Sequence, residues 1–137
     1  MEIKPVRWRD ALKEAKVDPV TGIRIARLNS LRIGGKLHET NVAEATRAIV
    51  GHFHPTPEVY HILEGRGDLV LGTPVKKGGK WVAQETSRTH VSSGQVVVIS
   101  ANTVHSLVPA GEKIVFIFSG PASHLGKDRT IVEKFVE

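Results

Sequence analysis

The sequence contains no cysteine. Disulfides, thiolate metal sites and a cysteine nucleophile are therefore excluded. Aromatic residues are also scarce, at 5%, and no apolar run approaches the roughly 20 residues of a membrane-spanning helix. The N-terminal stretch MEIKPVRWRDALKEAKV lacks the apolar core of a secretory signal, so the expected location is the cytoplasm, with no membrane partner. Nor is there an internal repeat, a low-complexity tract or a linker. At 137 residues, 40% of them hydrophobic and 24% charged, the chain is expected to form a single domain over residues 1–137 with its own core. The formal charge of +5 favours an anionic partner. Because the Lys and Arg residues are scattered and stacking aromatics are few, that partner is expected to be a small anionic molecule and not nucleic acid.

What is present is mostly strand and turn. Residues 8–17, WRDALKEAKV, carry a helical pattern with Trp8, Leu12 and Ala15 near one face, and Asp18-Pro19 ends it. GIRIARL (22–28) alternates apolar and basic residues as a half-buried strand does. LRIGGKL (31–37) reads as a strand meeting a Gly-Gly turn. Further strands are expected at 45–54, 58–63, 67–72, 80–85, 95–100, 105–108 and 113–119, separated by Gly, Pro or Asn turns. Many short strands at near-regular spacing describe an all-β sandwich or barrel. The tail from residue 121 is expected to return as an edge strand or short helix. The GRG at 65–67 and the GGK at 34–36 and 78–80 complete no phosphate-binding motif and are read as turns.

One stretch concentrates chemistry: GHFHPTPEVYHILEG, residues 51–65. Residues two apart on a strand share a face, so His52 and His54 project together and Phe53 points away. Pro55 and Pro57 force a turn, after which Glu58, Tyr60 and Ile62 share one face of the returning strand. His61 lies on the other face and is expected to be a surface or interface residue. His105, at the start of a strand after a polar turn, is the best candidate for a further ligand. Three imidazoles and a carboxylate suit Mn, Fe, Ni, Co or Zn, and leave a position for water or substrate.

The two segments resemble the paired motifs of the cupin superfamily. The first motif is carried by His52, His54, Glu58 and Gly65, although Thr46 stands where the family has an earlier glycine. In the second, Gly94 and His105 hold their places, while Ser100, Asn102 and Pro109 replace Pro, Gly and Asn. The resemblance covers residues 22–120. It implies a cupin-type double-stranded β-helix, or jelly roll, with metal at His52, His54, Glu58 and His105, and a homodimeric assembly. GHFHPTPEVYHILEGRGDLVL and the tail GKDRTIVEK are further similar to the archaeal cupin-type phosphoglucose isomerases. That resemblance implies metal-dependent aldose–ketose isomerisation of a sugar phosphate, with Glu58 as base or ligand and Tyr60 as a substrate contact. Ile49 stands where that family has a phosphate-binding threonine, SANTVH (100–105) replaces an aromatic-rich turn, and Lys127 and Arg129 replace a tail His and Tyr. The two cations could supply the lost phosphate contacts. Two other readings remain open: a metal-dependent dioxygenase or oxidative decarboxylase, and a non-catalytic ligand-binding cupin.

Overall fold

The computed structural model describes residues 4–125 and 127–136; Met1 to Ile3, Gly126 and Glu137, all within the expected domain, lie outside the described residues. The elements in chain order are α1 (Trp8–Lys13), β1 (Lys16–Val17), β2 (Arg24–Ile33), β3 (Lys36–Ala45), β4 (His52–Phe53), β5 (Glu58–Glu64), β6 (Arg66–Lys77), β7 (Lys80–Ser92), β8 (Val96–Ile99), β9 (Val104–Pro109), β10 (Ile114–Pro121), a 3₁₀ turn (Ala122–Leu125) and β11 (Thr130–Ile131). Two antiparallel sheets result, ordered β1-β2-β3-β10-β5-β8 and β11-β4-β9-β6-β7. This is the all-β jelly-roll architecture that the turn spacing and the motifs predict.

The core lies between the sheets because apolar side chains alternate inward along paired strands. Ile62, Phe116 and Phe118 from the first sheet meet Leu69, Val91 and Leu107 from the second. Along β5 the burial alternates from Glu58 to Ile62, with Val59 and His61 outward. A smaller cluster, Phe53, Val104 and Val132 with Ala83 and Phe135 packed on it, shows where the tail goes. A Cβ at Gly51 would lie 2.7 Å from the Phe135 Cβ, so the lack of a side chain there lets the tail close onto β4. The tail then adds β11 to the sheet edge, pairing Thr130 with Phe53 and Ile131 with His52.

Three expectations need correction. The helix stops at Lys13, and Lys16–Val17 instead pairs with Arg24–Ile25 as β1; the approach to Asp18-Pro19 is extended because a residue ahead of proline avoids helical geometry. The expected strand 45–54 is two pieces, the end of β3 and the short β4, with residues 46–51 as loop. The Ile49 N–H donates to the Leu107 carbonyl, outside any ladder. Residues 38–44 then form the centre of β3, between β2 and β10, although HETNVAE lacks a clean apolar alternation. The β6–β7 hairpin is also longer at both strands than expected.

Candidate metal centre

Four buried side chains converge from both sheets. His52 sits on β4 and is paired directly opposite His105 on β9, so the two rings lie 4.2 Å apart between centroids, tilted at 57° to each other. His54 follows β4 and reaches the same space, 5.1 Å from the His105 ring. Glu58 opens β5 in the other sheet, where it is opposite Ile99. The PTP turn is what carries the chain from one sheet to the other between His54 and Glu58. One ligand atom from each of His52, His54, Glu58 and His105 can be chosen so that all lie within 4.8 Å of one another.

The orientation of the imidazoles is fixed by the backbone. The Nδ1 atoms of His52, His54 and His105 lie 2.8, 2.9 and 2.9 Å from the carbonyls of Val50, Thr56 and Thr103. A carbonyl only accepts, so in each neutral ring Nδ1 carries the proton and Nε2 keeps its lone pair. Two of those Nε2 atoms, of His105 and His54, face the same Glu58 oxygen at 3.4 and 3.6 Å. The His105 Nε2 is buried and has no hydrogen-bond partner among the described residues, a costly state unless something occupies the centre of the group. First-row divalent ions bind N and O donors at about 2.0–2.2 Å, so opposed donors sit about 4.2 Å apart. The group spans 4.8 Å, so its widest separation would need to contract by roughly half an ångström. The donor set therefore fits a divalent ion and could hold one.

Electrostatics divide the ring of ligands. Burial, helped by the neighbouring His105, pushes His52 down to about 3, so it stays neutral at physiological pH. His54 is raised: burial opposes its charge, but the hydrogen bond and negative charge of Glu58 outweigh that penalty. Tyr60 is raised well above its usual value by burial and by the charge and hydrogen bond of Glu58. It is therefore a phenol whose hydroxyl donates to the carboxylate.

The cluster opens onto a cavity lined by Thr21, Ile23, Ile49, Tyr60, Phe116 and Phe118, with His52 and Glu58 at its base and Arg129 also on its wall. It is narrow, about 20 Å³, which is room for about one water. His61 lies away from it, exposed on the outer face of β5. Lys127 is exposed too, in a separate surface depression with Lys36 and Asp128. Arg129 is different. Its guanidinium bonds Asp18, Nη1 to Oδ2 at 2.7 Å and Nη2 to Oδ1 at 3.4 Å. Asp18 also accepts from the Thr21 hydroxyl at 2.7 Å and from the Val20 N–H at 3.2 Å. In the sequence, Asp18 reads only as a helix stop. The spacing Asp-Pro-Val-Thr-Gly does signal a turn with a side-chain acceptor, but nothing local joins it to a residue 111 positions away.

A jelly roll with three buried histidines and one glutamate between its sheets has the architecture of a cupin, with a side-chain group that could hold a metal. The family described as Glucose-6-phosphate isomerase (GPI) matches over residues 24–134, a span that includes all four clustered side chains. The chain belongs to that family, within the cupin superfamily. No curated protein sequence matches it. Solved structures similar to it include a double-stranded β-helix domain protein from Klebsiella pneumoniae, with a TM-score of 0.65 and 15% identity, over 97% of this chain and 100% of that one. The polyketide cyclase RemF from Streptomyces resistomycificus has a TM-score of 0.64 and 19% identity, over 99% and 88%. A mutant of the Bacillus subtilis oxalate decarboxylase has a TM-score of 0.58 and 16% identity, over 88% and 30%. At these identities the likeness is one of fold, and the fold is shared by different chemistries. No helix among the described residues is long and apolar enough to cross a membrane.

Proposed function

We propose that the protein is a metal-dependent aldose–ketose isomerase acting on a small, anionic, sugar-like substrate. It would hold one divalent transition ion, Mn, Fe, Ni, Co or Zn, at His52, His54, Glu58 and His105. The observation that carries this reading is the placement of a carboxylate, Glu58, beside three imidazoles with fixed tautomers in a chain of the GPI family. When bound, such an ion supplies Lewis-acid polarisation of a carbonyl oxygen and a positive charge against a developing enediolate.

The residues of the chain do the rest. Glu58 takes the proton from the carbon next to the carbonyl and returns it to the former carbonyl carbon, while the hydroxyl proton passes from the first carbon's oxygen to the former carbonyl oxygen. Tyr60 donates its hydroxyl hydrogen bond to Glu58 and so holds the carboxylate in one orientation, while its ring lines the cavity. The apolar walls keep bulk water away from the reacting atoms, which strengthens the electrostatic interactions inside. A sugar phosphate is much larger than the space observed, so substrate binding requires the mouth to open. The same reading has the protein working as a single-domain homodimer in the cytoplasm.

Proton exchange at C2 of sugars and sugar phosphates in D2O tests it, run without oxygen and with Mn, Fe, Ni, Co or Zn added back. Metal-dependent exchange that Glu58→Gln abolishes is expected. No exchange with any sugar, together with substrate-dependent O2 uptake, would contradict isomerisation and favour a dioxygenase or oxidative decarboxylase. Neither activity would leave a ligand-binding cupin.

A further inference from the structure

The cavity above the cluster has one cationic wall residue, Arg129, and that residue is already engaged by a carboxylate of the same chain. The Arg129 and Asp18 side chains are only 7% and 11% exposed, and the two guanidinium contacts to Asp18 form a fork. A guanidinium has five N–H donors. The Asp18 contacts use two of them, and no other hydrogen bond of Arg129 is made among the described residues. The side chain also borders the space that His52, Glu58 and Tyr60 line. All other described wall residues of that space besides the cluster are uncharged: Thr21, Ile23, Ile49, Phe116 and Phe118.

We propose that Arg129 is an oxyanion subsite, and that Asp18 occupies it as an internal stand-in for the ligand's own anionic group. The ligand class is a short hydroxylated carbon skeleton ending in a phosphate monoester or a carboxylate. Its oxygen-bearing carbons face the cluster and its anion takes the Arg129 fork, which matches either group bidentately. Lys127, exposed outside the cavity, plays no part. The exchange also gives the narrow cavity a way to widen. Asp18 opens the turn that carries Thr21 and Ile23, closed by the Gly22 N–H donating to the Asp18 carbonyl at 2.8 Å. Arg129 stands just before β11 in the tail. Their ion pair thus fastens an N-terminal turn to a C-terminal segment beside the cavity, and a competing anion would unfasten it.

The inference rests on reading this cavity as the substrate site, but its test involves no turnover, so loss of the isomerase reading and loss of this one are separately visible. Inorganic phosphate and glycolate are titrated calorimetrically into the full chain, both metal-loaded and after chelation. At least one is expected to bind the wild type in both forms. Arg129→Met should weaken that binding at least tenfold with metal content unchanged, and Arg129→Lys should recover part of it. Asp18→Asn should act in the opposite direction, tightening binding several-fold because the competitor has lost its charge. The tighter of the two probes identifies the anion as phosphate or carboxylate. The proposal is overturned if neither probe binds the wild type, if binding disappears on chelation, or if Asp18→Asn weakens binding as Arg129→Met does. The last result would mean that the pair only holds the chain ends together.

Discussion

Among the described residues, histidine and carboxylate meet on the outer surface and between the sheets, and the two places behave differently. On the outer surface of the β6–β7 hairpin, Asp68 lies 3.3 Å from His90 and 3.5 Å from Arg88, which also reaches Glu85 at 3.1 Å. Between the sheets, Glu58 lies 3.4 and 3.6 Å from His105 and His54. The distances are alike; the surroundings are not. The hairpin side chains are 36–55% exposed, so water screens their attraction and each pair contributes little. The Glu58, His54 and His105 side chains are at most 4% exposed, and all three histidine rings of the inner cluster are oriented by backbone carbonyls. Proximity makes an ion pair. Burial with fixed lone pairs makes a centre that a metal can use.

Substitutions in the two places should separate them. The largest effect is expected from His105→Ala, which should lower affinity for a divalent ion by more than about 100-fold, since even outer partners of metal ligands cost 10–100-fold. His90→Ala on the hairpin should leave metal content unchanged by elemental analysis; a loss there would erase the distinction. Next is Glu58→Gln, which keeps an oxygen donor but cannot act as a base. C2 proton exchange should fall by about 10²- to 10⁴-fold and metal content by much less. Equal losses of both would make Glu58 a ligand only.

Smaller effects belong to the ion pairs. Removing Arg129 leaves the nearly buried Asp18 without its counter-charge, so Arg129→Met should cost about 3 kcal/mol of unfolding free energy, the low end for a broken buried pair because Thr21 and Val20 still donate to Asp18. Asp18 is held below its usual value because the hydrogen bonds and charge of Arg129, with those from Thr21 and Val20, outweigh the burial that would raise it. A lowered carboxylate contributes stability above its unfolded value, near 3.8, and loses it as pH falls through the folded value. The stability gap between wild type and Asp18→Asn should therefore be constant near neutrality and shrink below about pH 4. A gap that widened on acidification would contradict the ion pair. Arg88→Ala, on the exposed network, is expected to leave the thermal midpoint where it is.

The legibility of these features in the sequence follows the range of the interactions. His52, His54 and Glu58 could be read together because strand alternation and a proline-bounded turn are local, and β5 does turn Glu58 and Tyr60 inward and His61 outward. His105 was readable only as a histidine at a strand start. Its pairing with His52 depends on the β4–β9 register, which no local pattern encodes. The amphipathic pattern overstates the helix because it extends through Ala15, whereas pairing with β2 wins the last residues. β3 leaves little trace in the sequence because HETNVAE carries few apolar residues, though Val42 and Ala43 are fully buried in it. The Asp18–Arg129 contact was invisible, since both residues belong to solvent-favouring types and only the closure of the two chain ends brings them together.

Elemental analysis of the protein purified without chelator most directly tests whether the buried cluster is a metal centre. About one divalent transition ion per chain is expected, falling to near zero in His52→Ala and His105→Ala and unchanged in His61→Ala and His90→Ala. Wild-type protein that carries no ion even after loading, or full occupancy in both ligand variants, would contradict it.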